Sequence, residues 1–421
     1  MKELPEHWKW VKLGDLVDNP KQDLVDGPFG SNLKSDEYLD KGIPVFKIQN
    51  IKVNRFVEKH MSFISEEKAK TLIRHSFQSG DLIITKLGEP LGLCCKVPKK
   101  YPFGVIVADL MRLRPSKTKI YDEYLINVIN SDIVKKQFKA ITKGTTRARV
   151  NLTIVRDIQI PVPSKSTQQA IVSKIEELFS ELDKGIENLR LAQQQLKTYR
   201  QSVLKWAFEG KLTNENVKDG ELPERWKFVE LQQVCEIKRG KSKHRPRNEP
   251  ALYGGKYPFI QTGDIRNSSG KYINEYSQTY SELGLKQSKL WPKGTLCITI
   301  AANIGETAIL GFDACFPDSV VGLLSNEKAL LVKYTNYYFI SFKQKLEELA
   351  PATAQKNINV DILEKVQIPL APIEEQNNII QEIESRLSVA DKMEESINQS
   401  LQKAEALRQS ILKKAFEGKL I

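Results

Sequence analysis

Two stretches of the chain concentrate side chains that can grip a polyanion and read a base edge. KRGKSKHRPRN at 238–248 holds Lys238, Arg239, Lys241, Lys243, Arg245 and Arg247, with no acid among them. KGTTRARVN at 143–151 sets Lys143, Arg147 and Arg149 beside the hydroxyls of Thr145 and Thr146, and it ends on Asn151. PATAQKNIN at 351–359 aligns with this second stretch, so that Gln355, Lys356 and Asn357 take those places and Asn359 matches Asn151. In the major groove an arginine fork holds guanine, and the amide of Asn or Gln holds adenine, through paired hydrogen bonds. Lysine ammonium groups and Ser or Thr hydroxyls suit phosphate oxygens. Any one of these residues taken singly is better explained by a solvated charged loop, whereas the clusters taken as patches point to DNA.

The wider charge balance agrees with a polyanionic partner. Sixty-four Lys and Arg oppose 52 Asp and Glu, a formal net charge of +12, although lysine-rich proteins are also basic without binding nucleic acid. Catalytic patterns fail in turn. CEIKRGKS at 235–242 ends like a phosphate loop, but the first glycine of GxxxxGK[ST] falls on Cys235. No GxGxxG occurs, and Pro317-Asp318 is not followed by E-x-K at nuclease-like spacing. The four histidines (His7, His60, His75, His244) form no HExxH-type pair. Five cysteines without CxxC spacing argue against zinc and a disulfide framework, and they read as reduced thiols of a cytosolic protein. No apolar run approaches the ~20 residues of a membrane span, and MKELPEHWKW has no stretch that could serve as a signal peptide. The chemistry on offer is binding.

The elements that must position these clusters come twice. A chain of 421 residues exceeds one ordinary core, so two or more domains are expected. LPEHWKWVKL at 4–13 returns as LPERWKFVEL at 222–231. IPVPSKSTQQAIVSKIEELFSELD at 160–183 returns as IPLAPIEEQNNIIQEIESRLSVAD at 368–391, and AFEGKL at 207–212 returns at 415–420 with the same separation. Between these landmarks the likeness fades. GIPVFKIQNI (42–51) resembles KYPFIQTGDI (256–265), with Pro44 on Pro258 and Ile51 on Ile265, and GDLIITKLGE (80–89) resembles GTLCITIAANIGE (294–306). These short β-rich runs bounded by Gly and Pro predict a mixed α/β globule at the start of each copy. A common scaffold thus carries divergent heads.

The scaffold is helical. Ser166-Thr167-Gln168-Gln169 has the spacing of a capping box. Ile175, Phe179, Leu182, Ile186, Leu189, Gln193, Leu196, Arg200, Val203 and Ala207 then alternate steps of four and three. Their counterparts are Ile383, Leu387, Ala390, Glu394, Ile397, Leu401, Ala404, Arg408, Ile411 and Ala415. A 4-3 seam sustained in both copies predicts two long helices that pair as a coiled coil, each about 60 Å long. Polar Gln193, Arg200, Glu394 and Arg408 interrupt the seam. They either lie partly exposed and set the register, or Arg200 pairs with Glu394, which requires antiparallel helices. Gly210 and Gly418 read as helix C-caps, and Trp206, Phe208 and Phe416 as core, with a docking surface for a partner subunit as the alternative. AFEGKL runs on to LPExW in continuous sequence only from 207 to 226, so the repeat closes into a ring if the termini meet. Two unlike heads on a rigid spacer suit duplex DNA, whose dimeric readers touch half-sites about 34 Å or its multiples apart.

The LPExW openings, the IPxP-type segments before a Gln-containing helix (Glu375-Gln376 in the second copy) and the AFxGKL helix ends, all present twice, resemble the specificity (S) subunit of type I restriction–modification systems. The likeness covers the whole chain; Thr167-Gln168 departs from the family's usual Glu-Gln. The resemblance implies an α+β fold: two mixed α/β target recognition domains separated by a pair of long antiparallel helices, a coiled coil, in a circular pseudo-twofold repeat. The expected divisions are recognition domains at 1–160 and 222–367, spacer helices at 161–212 and 368–421, and a linker at 213–221. Each recognition domain would read one half of a bipartite asymmetric site on double-stranded DNA, while the helices set the spacing and dock the methylation subunits. The implied partners are two methylation (M) subunits, which bind S-adenosylmethionine and modify adenine at N6, and two restriction (R) subunits, which use ATP and Mg. This chain would then be non-catalytic and cytoplasmic, with no cofactor or metal of its own. A standalone sequence-specific DNA-binding or architectural protein, and a coiled-coil scaffold that binds no DNA, are the alternatives.

Overall fold

The computed structural model describes residues 4–29, 32–88, 90–142, 149–214, 216–243, 246–301, 303–350 and 357–421. Compactness divides the chain into two units that do not follow the linear landmarks. One comprises Met1–Leu189 with Gln399–Ile421, the other Arg190–Asn398. Each contains a head, part of a long helix running out of it, and part of the other long helix running in.

Within the first unit the opening motif and the IPxP segment are partners. Lys9–Lys12 pairs antiparallel with Gln159–Val162, Trp10 opposite Pro161. The second unit repeats this with Lys227–Glu230 on Gln367–Leu370, Phe228 opposite Pro369. The prolines cost nothing here, because a two-stranded ribbon has a free edge for a residue without an N–H. The first head carries two four-stranded sheets, ordered Leu24–Asp26, Leu110–Leu113, Leu82–Thr85, Cys94–Lys96 and Ser62–Ile64, Ile43–Phe46, Phe103–Ile106, Ser76–Gln78. The second head has a five-stranded sheet, Cys235–Arg239, Val320–Ser325, Leu296–Thr299, Thr307–Leu310, Tyr272–Ile273, and a ribbon of Tyr253–Phe259 with Gln278–Tyr280. LIIT and LCIT are continuous apolar runs because both faces of these central strands are covered, and all eight residues are buried.

The faint interior alignment holds at the level of hydrogen bonds. Asn50 Oδ1 accepts from the Lys47 N–H at 2.9 Å, and Asp264 Oδ2 accepts from the Gln261 N–H at 2.8 Å. Ile51 and Ile265 are both fully buried just beyond these caps.

Each long helix has 44 residues, Lys165–Phe208 and Ile373–Phe416. In the second unit the Arg200 guanidinium contacts Asp391 at 2.6 Å and Glu394 at 2.9 Å, and the Gln193 amide donates to Asn398 at 2.7 Å. Numbers rise on one helix as they fall on the other, so the pairing is antiparallel. In the first unit Arg408 lies 4.6 Å from the Phe179 ring centroid and bonds Asp183, again antiparallel. All twenty positions of the 4-3 seam are buried or half-buried. Ile175, Val203, Ile383, Ala390, Ala404 and Ile411 are buried, whereas Leu182, Leu189, Leu196 and Ile397 are half-buried, as expected for a seam with solvent on two sides.

The repeated AFEGKL is a plug. Phe208 packs edge-on against Tyr334 (5.1 Å) in the second unit, and Phe416 does the same with Tyr124 (5.4 Å) in the first. Both tyrosine hydroxyls donate to the carbonyl of the ribbon proline at 2.7 Å, Tyr124 to Pro161 and Tyr334 to Pro369. Gly210 and Gly418 follow with φ of +76° and +69°, and each backbone presses on the proline of an LPE opening, Pro223 and Pro5. The helix end at Phe416 and Gly418 therefore completes the first head, and the ring closes within the first unit.

Three expectations are corrected. The first long helix begins two residues earlier than the capping box implied. Ser164 is the cap, its Oγ accepting from the Thr167 N–H at 3.2 Å, because Pro163 ends the strand and leaves Ser164 free to turn. Trp206 is 41% exposed and is no core residue, since it lies one step off the seam between buried Leu204 and Ala207. Asn151 and Asn359 do not reach for bases: their side chains cap short helices, accepting from Ile154 and Ile362 at 3.0 and 2.9 Å.

Candidate nucleic-acid interface

In the second head the basic stretch begins on a strand and continues as a loop. Lys238 and Arg239 are the last residues of Cys235–Arg239, with Arg239 paired to Val321 in the sheet. Gly240 follows because no side chain fits there: a Cβ would stand 2.4 Å from the Pro317 carbonyl oxygen. Arg239 donates through Nε to the Asp318 carbonyl oxygen. Arg247 donates through Nη2 to both Asp318 carboxylate oxygens at 2.9 Å, and Tyr253 Oη donates to the Arg247 carbonyl at 2.6 Å. Lys238 is paired with Glu236, and exposed Lys241 is fixed through its carbonyl by the Ser288 hydroxyl at 2.8 Å. The side chains of Lys241 and Lys243 form no ion pair among the described residues.

The first head presents the same framework with other chemistry. Asp26 pairs with Met111 as Arg239 pairs with Val321, and Met111 and Val321 sit opposite Ile84 and Ile298, matched residues of the two copies. Gly27, like Gly240, sits against a backbone carbonyl, here Val107. Asp26 therefore occupies the place of Arg239. It is braced by Lys86, whose Nζ lies 3.1 Å from its carboxylate, while His75 Nδ1 donates to its carbonyl at 2.6 Å. Arg149 lies beside it, 3.2 Å from Asp109 and bridged through its backbone to Leu87. Asn357 makes the matching bridge to Ala301 in the second head.

Of the candidate contacts, Arg149, Lys238, Arg239, Lys241, Lys243, Arg247 and Asn357 are placed and exposed. Lys143, Thr145, Thr146, Arg147, Arg245, Gln355 and Lys356 lie outside the described residues. The structure adds residues that the sequence reading missed: Asp26, Lys86, Asp109 and Asp318 at the rims, and Lys289, which stacks 3.8 Å from the Trp291 ring centroid near Lys241. The carboxylates carried no signal in sequence, because each lies many residues from the base it meets.

All five thiols are free and buried. Burial pushes Cys235 and Cys315 up to about 11 and Cys95 up to about 12, so none supplies a thiolate at neutral pH. Among the described residues no group of His, Cys, Asp or Glu is arranged to hold a metal ion. No helix among them is long and apolar enough to cross a membrane.

Two heads of one design, unlike at the rim and joined to antiparallel helices, define a bipartite recognition protein. The family of the type I restriction modification DNA specificity domain matches residues 5–190 and 223–405, and the chain belongs to it. It is 25% identical to the putative type I restriction enzyme MjaX specificity subunit of Methanocaldococcus jannaschii, over 99% of this chain and 95% of that one. With the EcoKI specificity subunit of Escherichia coli the identity is 23%, over 99% and 90%. A solved chain from work on complex assembly and conformational transition of the type I R-M system has the same fold, with a TM-score of 0.76 and 22% identity over the full length of both. The HsdS subunit of Thermoanaerobacter tengcongensis, also 22% identical, gives 0.63 over 99% of this chain and 98% of that one.

Proposed function

We propose that this chain addresses a type I restriction–modification complex to DNA, each head reading one half of a bipartite, asymmetric site. The observation that carries the reading is the exchange at one framework position, Asp26 in the first head and Arg239 in the second. Matching strand frameworks with opposite charges at the same strand end are what unlike half-sites call for, since a carboxylate accepts from cytosine and a guanidinium donates to guanine. Lys241, Lys243 and Lys289 suit the phosphates alongside. The masked-charge pairs at Lys238 and Arg149 suit positioning more than neutralisation of phosphate.

The partners in this reading are double-stranded DNA, two methylation subunits and two restriction subunits. S-adenosylmethionine belongs on the methylation subunit, ATP and Mg on the restriction subunit, and none on this chain, which works in the cytoplasm. Exposed apolar side chains on the helices of the second unit, Leu191, Tyr199, Val389 and Met393, support docking of partner helices there.

Expression with the cognate methylation subunit should place N6-methyladenine at a single bipartite motif with a fixed gap. Replacing residues 1–160 with those of another family member should alter one half of that motif only. Alteration of both halves, or of neither, removes the two-head assignment. Tight specific binding without any complex with a methylation subunit would favour a standalone regulator.

A further inference from the structure

The rim of the second head is built around one residue that the family resemblance does not assign, Asp318. Its backbone carbonyl takes the Nε–H of Arg239, and its carboxylate is held by Arg247 at 2.9 Å through both oxygens. Arg239 itself rises from a strand, its backbone locked opposite Val321, and the next residue, Gly240, is packed against Pro317. Tethering Nε leaves the terminal Nη1 and Nη2 groups as a pair of parallel donors, and neither meets an acceptor among the described residues. Two parallel donors on a side chain held at its root match guanine O6 and N7, the one base edge in the major groove with two adjacent acceptors. A reader carried on a strand is also held more closely than one on a loop.

We infer that Arg239 is the guanine-reading residue of the second head, and that Asp318, clamped by Arg247, is the positioning residue that aims it. This rests on the reading of the chain as a DNA-addressing subunit. Arg247, although exposed and basic, acts through Asp318 and not on a base. The first head cannot read guanine in this way, because Asp26 stands at the equivalent place and offers only acceptors.

The test uses the full chain assembled with its methylation subunit, a randomised duplex library to obtain the wild-type motif, and then a panel of single-base variants of that motif. A wild-type complex that selects no bipartite motif overturns the addressing function itself. Given a motif, Arg239→Ala should abolish discrimination at one G·C pair of one half, by roughly ten- to hundredfold, and leave the other half unchanged. Arg239→Lys should retain affinity and salt dependence yet lose the same discrimination, because an ammonium has no fork. Arg247→Ala should weaken preference at that same pair and at no new one, and Arg247→Lys, which keeps an ion pair to Asp318, should restore part of it. The inference is overturned if Arg239→Lys keeps full discrimination, if the Arg239 variants weaken all positions uniformly, or if Arg247→Ala changes a different pair. The lysine variants keep the charge and the fold, so unfolding cannot mimic the expected result.

Discussion

Gln168 and Gln376 open the two long helices, and both are buried. The Gln376 amide donates to Ala371 at 2.8 Å and Ala329 at 2.9 Å, while its oxygen accepts from the Leu331 N–H at 2.9 Å. Gln168 makes two of these bonds in the first unit, donating to Pro163 and accepting from Tyr121. Each glutamine ties a helix start to its head, and a carboxylate could not replace it because it has no donor. Gln376→Leu leaves three backbone groups unpaired and should destabilise the second unit by about 2–3 kcal/mol in urea denaturation. A loss below about 0.5 kcal/mol would show that water replaces the amide. The thiols give a pH dependence. Their folded values lie above the ordinary 9.0, through burial first. Below pH 9 both states keep the proton and stability is unaffected; above it the unfolded thiols ionise first, so stability falls as pH rises toward about 11. A thiol reagent at pH 8 should find none of the five in the native protein and all five after denaturation.

The helices show how position on a turn decides the role of a residue. Trp206 and Phe208 lie two residues apart, yet one is 41% exposed and the other 8%. Phe208→Ala should cost about 3–5 kcal/mol by opening a cavity under Tyr334, while Trp206→Ala should stay within about 0.5 kcal/mol. Denaturant titration of both variants separates them. Arg200 bridges Asp391 and Glu394 from a position only 25% exposed. A double-mutant cycle of Arg200→Ala and Glu394→Ala should give a coupling of about 0.5–1 kcal/mol, diminishing as salt is added. An equal effect at high salt would assign the loss to packing of the arginine stem.

For the whole molecule, each head depends on a helix end, which for the first head comes from far along the chain and for the second lies just before its opening motif. Ile411, Leu412, Ala415 and Phe416 belong to the core of the first unit, so its stability is tied to residues about 400 positions after its opening strand, Lys9–Lys12. Gly418 touches Pro5 as Gly210 touches Pro223. A circular permutant beginning at residue 222, with a copy of 213–221 joining 421 to 1, should therefore fold and give the melting profile of the parent. A deletion of 411–421 should lose the transition of the first unit and keep that of the second, as followed by calorimetry.

The repeat, its circular order and the seam were legible in the residues alone, because helix periodicity is local: a 4-3 pattern states which side of a helix is covered. Antiparallel pairing was only one reading of Arg200 and Glu394 until the two side chains met. The basic patches were legible as charge, but their meaning was not. Glu236 lies two residues before Lys238 in sequence, whereas Asp318 and Asp109 lie 71 and 40 residues from Arg247 and Arg149 and reach them only through the tertiary fold of each head. The equivalence of Asp26 with Arg239 was likewise invisible, since the strands that carry them share no sequence, and sheet register alone sets them at one place. Local periodicity thus wrote the scaffold into the chain, while long-range strand pairing decided which charges stand free at its rim.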